Sequence, residues 1–150
     1  MRTLSLALLF LVQACATTSS KEASPADARE VLETVQAFFD IFSTRDARAG
    51  AAITLSQGAF FNVREQEGQR VVNHWNTAAW LARLPENQVA MKETFDGEPT
   101  VLVAGDVAMV WAPYLFSMNG ELSHSGVDLF NLLRTEDGWK IAGGAYSVVR

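Results

Sequence analysis

Cysteine occurs once in this 150-residue chain, at position 15, and histidine only twice. That scarcity excludes a good deal. Beyond position 15 the chain can build no disulfide, no Cys-based metal site and no thiol nucleophile. His74 and His124 show no His-x-x-x-His or His-Glu spacing, so neither a metal site nor another cofactor is expected. No serine stands in a G-x-S-x-G setting, which leaves a serine hydrolase unsupported. Twelve Lys and Arg against seventeen Asp and Glu give a net charge of −5 and form no basic stripe. Nucleic acid is therefore not an expected partner.

What is present begins with an export signal. Arg2 supplies a short positive region, and Leu4 to Val12 is an apolar run too short to span a bilayer as a mature helix. Two cleavage readings compete. In one, Val12-Gln13-Ala14-Cys15 is a lipobox and Cys15 becomes a lipidated N-terminus. In the other, Ala14-Cys15-Ala16 is a plain A-x-A site and Cys15 is discarded. The first fits better, because the cysteine falls where the apolar run ends and a Ser/Thr/Ala-rich tether follows. Gln13 is unusual in a lipobox. The expected organisation is a signal peptide over 1–14, a lipidated Cys15 with tether over 15–26, and one domain over 27–150. About 120 residues suffice for a single core. The expected location is the bacterial cell envelope, anchored by lipid and facing the periplasm at the outer membrane, as Ala16 after the cysteine resembles that sorting signal. Plain cleavage would instead release the protein to the periplasm.

Ser24-Pro25 opens a first helix, with Ser as N-cap, Pro at the first helical position and Asp27 in the first turn. Val31, Val35, Phe38 and Phe42 recur at helical spacing. Asp46 caps a short second helix through Ala52. Phe60 to Arg64 and Arg70 to Val72 read as a hairpin around Glu67-Gly68. Asn73 caps a third helix, His74 to Leu84, stopped by Pro85. Strands are expected at Val89 to Phe95, Thr100 to Ala104, Val107 to Met118, Glu121 to Arg134, and Trp139 to about Val148. Asp96-Gly97, Gly105-Asp106, Asn119-Gly120 and Asp137-Gly138 punctuate them as turns. Helices first and an antiparallel meander afterwards make the fold class α+β, with the helices on one face of the sheet.

A two-residue Asn119-Gly120 turn puts Met118 opposite Glu121 and fixes every later pair. His124 then faces Leu115, and Asp128 faces Trp111. Trp111, Leu115, His124, Asp128, Phe130 and Leu132 share the face expected under the helices, joined by Trp139, Ile141, Gly143 and Ala145. The opposite face carries Val110, Ala112, Tyr114, Val127 and Leu129, with Tyr146. So apolar an outer face predicts a homodimer.

Three helices interrupted by a small hairpin, long antiparallel strands, and His124-Ser125-Gly126-Val127-Asp128 followed by Gly138-Trp139-Lys140-Ile141 resemble the nuclear transport factor 2-like superfamily. Within it they are most similar to the SnoaL-like and putative lumazine-binding branch. The resemblance covers about Asp27 to Arg150. It implies a cystatin-like cone, three helices packed on a curved, mainly antiparallel sheet around a deep pocket, often dimeric. The superfamily includes isomerases, dehydratases and cyclases beside members without activity, so function rests on the site.

Asp128 is the leading candidate. A carboxylate in an apolar pocket has a raised pKa and can act as general base, or as a donor when protonated. A buried aspartate hydrogen-bonded to Trp111 or to backbone is the structural alternative. His124 offers an acid, a base or an orienting donor, against a satisfied structural histidine. Four residues of strand separate the two by roughly 13 Å, so a ligand can touch both but they form no direct dyad. Expected ligand contacts are Trp111, Leu115, Phe130, Trp75 and Asn62. These residues predict a small, largely apolar molecule bound in the cone. The alternatives are an acid–base enzyme (isomerase, dehydratase or cyclase) using Asp128 and His124, and a non-catalytic interaction module.

Overall fold

The structure is a computed structural model, and it describes residues 24–149. The signal peptide, Cys15 and most of the tether lie outside the described residues. The first helix, α1 (Pro25–Thr44), starts as its sequence dictates. Ser24 is extended, and its Oγ accepts from the Asp27 N–H at 3.1 Å. Val31, Val35, Phe38, Phe39, Ile41 and Phe42 form its buried stripe. It ends at Arg45, which adopts the left-handed conformation and donates its N–H to Ile41 O. Asp46 caps α2 (Ala47–Ile53) by accepting from the N–H groups of Arg48 and Ala49.

Seven strands follow: β1 (Thr54–Gln66), β2 (Gln69–Asn76), β3 (Met91–Phe95), β4 (Thr100–Ala104), β5 (Val107–Met118), β6 (Glu121–Thr135) and β7 (Gly138–Tyr146). Between β2 and β3 lie α3 (Thr77–Arg83) and a 3-10 turn, Leu84–Glu86. The sheet order is β2-β1-β7-β6-β5-β3, with β4 also paired to β5. The β1–β7 pair is parallel and the others are antiparallel. This is the expected α+β cone, three helices on a mixed, mostly antiparallel curved sheet.

Two expectations fail, for separate reasons. The third helix does not begin at His74. Asn76, not Asn73, is the cap, with its Oδ1 accepting from Ala79 N–H at 3.0 Å. His74 and Trp75 are strand residues paired to Phe61 and Phe60. A long β1 was available to pair with them, and that pairing outweighs a weak local helix preference.

The second failure is one of register. Met118 does face Glu121, and Asn119 and Gly120 both have positive φ, as a two-residue turn requires. Ser117 then pairs with Leu122, but Phe116 pairs with His124, so Ser123 is an extra residue in β6. That β-bulge slides β5 by one, which exchanges its faces. Val110, Ala112 and Tyr114 are 0%, 0% and 1% exposed on the inner face, whereas Trp111 is 50% exposed on the outer one. Asp128 stands opposite Ala112, not Trp111. A second irregularity, between Asn131 and Leu132, shifts β7. Trp139 and Ile141 point inward, but Phe130 then pairs with Gly144 and Asp128 with Tyr146. Gly143, at φ 136°, absorbs the shift where a Cβ would lie 2.3 Å from Ala59 O. Tyr146 is thus on the inner face and Ala145 on the outer, the reverse of the expected arrangement.

Candidate functional site

Between the helices and the inner face of the sheet lies a cavity of about 600 Å³. Its apolar walls are aromatic. Phe60 of β1 stacks on Trp75 of β2, with ring centroids 4.5 Å apart. Trp80 of α3 and Phe38 and Phe42 of α1 close around them at 5.1–5.7 Å. Glu93, Tyr114, His124, Asp128 and Tyr146 supply polar groups, and Arg64 and Arg83 add two guanidinium groups.

The polar end is built around two carboxyl groups. Glu93 and Asp128 are 9% and 6% exposed, and each perturbs the other. Burial pushes Asp128 up to about 7, held back by a hydrogen bond with Glu93. Glu93 is raised well above the ordinary carboxylate range, first by burial, then by the charge of Asp128 and the same hydrogen bond. Both shifts run upward, so the pair favours sharing a proton over carrying two charges. The site can then offer one O–H donor and one carboxylate acceptor. Tyr114 is raised too, by burial and then by the charges of Asp128 and Glu93. Its hydroxyl donates to Ser147 O at 2.7 Å, which ties the C-terminal segment across β6.

His124 stacks on Phe116, with centroids 4.9 Å apart, and lies edge-on to Tyr114 at 5.8 Å. Ser123 Oγ stands 3.1 Å from its Nδ1. The bulge residue thus helps to set the ring it precedes.

Of the expected site residues, Asp128, His124 and Trp75 line the cavity. Phe130 is buried beneath it, against Phe38 and Phe60. Asn62 is buried on the same strand face as Phe60 and Arg64, and its Oδ1 has no hydrogen-bond partner. Trp111 and Leu115 are corrections: the bulge puts both on the outer face, away from the cavity. Glu93 escaped the sequence reading, as did Tyr114 and Tyr146 as cavity groups. The alternation Met91, Glu93, Phe95 carries the only signal for Glu93, a carboxylate flanked by apolar same-face neighbours.

A family model described as "Putative lumazine-binding" matches residues 26–147. The chain belongs to this family. Solved structures similar to this domain include proteins described as nuclear transport factor 2-like. A superfamily protein from Salmonella enterica superposes with a TM-score of 0.69 at 15% identity, over 85% of this chain and 94% of that one. A protein with a cystatin-like fold from Nostoc punctiforme gives 0.66 at 12% identity, covering 86% and 96%. A protein from Streptomyces avermitilis described as a putative dehydratase from the NTF2-like family gives 0.62 at 18%, covering 83% and 97%. At such identities the likeness establishes the fold alone. The family domain has no match among curated proteins.

Proposed function

We propose that this domain binds a small, largely apolar molecule with one hydrogen-bonding end. The cavity itself carries the reading. Its walls are aromatic rings, and its polar end is a carboxyl pair that both donates and accepts, the mix that orients a ligand in an apolar site. Cys15 would anchor the protein by lipid in the bacterial envelope at the outer membrane, with the domain facing the periplasm. Several acyl chains would be needed, since one binds only marginally. The outer sheet face would meet a second copy.

Native mass spectrometry of protein purified from its own envelope tests these statements together. Expected are a lipid-modified mass, a dimer and a retained small molecule. A bare polypeptide that no apolar compound stabilises in a thermal-shift screen would overturn the ligand reading.

One observation favours a second reading, acid–base catalysis. Asp128 opens onto the cavity and is not sealed against a tryptophan. A carboxylate titrating near neutrality beside a protonated partner suits proton abstraction, with Glu93 returning or sharing the proton. His124 would orient the substrate. An isomerase, dehydratase or cyclase of this kind would lose turnover but keep binding in Asp128→Asn.

A further inference from the structure

The cavity carries two arginines that no carboxylate pairs with among the described residues, although the chain is acidic. Arg64 of β1 and Arg83 of α3 line it, and both are exposed residues. Among the described residues neither is paired with a carboxylate. Arg83 Nε donates only to Ala79 O, at 3.3 Å. Arg64 acts inward, where its charge opposes the rise in Tyr114. The acids lining the cavity, Glu93 and Asp128, are buried, and burial disfavours their ionisation. Two fixed, unpaired cations thus stand at a cavity whose acids are buried apart from any salt bridge, in a chain of net charge −5. A cleft with low-dielectric walls focuses such a field and draws in the opposite charge.

We propose that the cavity takes an amphipathic organic anion, its flat apolar body between the aromatic walls and its acidic group met by Arg64 and Arg83. This rests on the ligand-binding reading and adds the ligand's charge. Guanidinium groups suit the role, since they never deprotonate and pair with carboxylate, sulfonate or phosphate through two parallel N–H bonds. Body and acid are recognised at opposite ends, so a neutral molecule of the same shape would lose one end only.

Two fluorescent probes with nearly the same ring system separate these ends: anilinonaphthalene sulfonate, which is anionic, and the uncharged N-phenylnaphthylamine. Both are titrated into the wild-type protein and the double variant Arg64→Gln/Arg83→Gln. The expected result is that the double variant loses roughly tenfold or more in affinity for the sulfonate and keeps its affinity for the neutral dye. Added salt should weaken only the sulfonate. Arg64→Lys/Arg83→Lys, which keeps the charge, should recover part of the loss. If sulfonate affinity is unchanged in the double variant, or both dyes weaken alike, the anion proposal is wrong while the cavity reading stands. If neither dye binds the wild-type protein, both fail.

Discussion

Glu93 and Asp128 come from β3 and β6, strands that never pair, and meet across β5 on the inner face of the sheet. Glu93 lies opposite Phe116 of β5 and Asp128 opposite Ala112. Buried together, they cannot both ionise cheaply, and this fixes how the protein responds to pH.

Both groups are raised in the folded state, so between their unfolded and folded pKa values the folded chain binds more protons than the unfolded one. Stability should therefore fall as pH rises from about 4 towards 7 through Asp128, and the raised Glu93 adds a loss of the same sign. For Asp128 the loss is on the order of a few kcal/mol, since each tenfold gain in proton affinity on folding is worth about 1.4 kcal/mol. Urea unfolding between pH 4 and 8 measures it. Asp128→Asn should flatten the slope, and an unchanged slope would place the proton elsewhere.

Tryptophan fluorescence can report the register directly. Trp75 and Trp80 line the cavity, whereas Trp111 faces outward. A bound apolar ligand should quench emission in Trp111→Phe as in the wild type, and clearly less in Trp75→Phe/Trp80→Phe. Loss of the signal in Trp111→Phe would restore the register without the bulge.

The homodimer expected from the sequence keeps its logic but changes its residues. Trp111, Leu115, Val127 and Leu129 form the outer apolar surface, while Val110, Ala112 and Tyr114 belong to the core. Covering that surface is worth roughly 25 cal/mol for each Å² removed from water. Leu129→Glu should convert a dimer to a folded monomer by light scattering, with dye binding retained. Val110→Glu, buried without a partner, should unfold the chain. A monomeric wild type at tens of micromolar would refute the pairing.

Gly126 is held by space, not by φ. A Cβ there would lie 2.2 Å from Ser147 O, the acceptor for Tyr114. Gly126→Ala should cost about 1–3 kcal/mol, as overpacking does. Tyr114→Phe should cost about 1 kcal/mol for its hydrogen bond. Added effects in the double variant would mean that the two do not act through Ser147, whereas a shortfall is expected of coupled neighbours.

Much of the fold was legible because its signals are local. Ser24-Pro25 and Asp46 start helices through their own side chains, and Glu67-Gly68 and Asn119-Gly120 turn the chain at positive φ, which their glycines adopt without strain. Asp128 stood out as a carboxylate among apolar strand neighbours. Those features belong to the sequence by itself, because capping and turn geometry are settled within a few residues. Only the tertiary structure decided which face each strand shows. The extra Ser123 and the shift at Gly143 follow from fitting β6 and β7 into a curved sheet, and one displaced residue reverses every side chain beyond it. The same fitting brought Glu93 to Asp128, a contact between strands with no sequence relation, and turned Tyr114 and Tyr146 inward. Side-chain alternation has period two, so a sequence can give the pattern of a strand while long-range packing alone sets its phase.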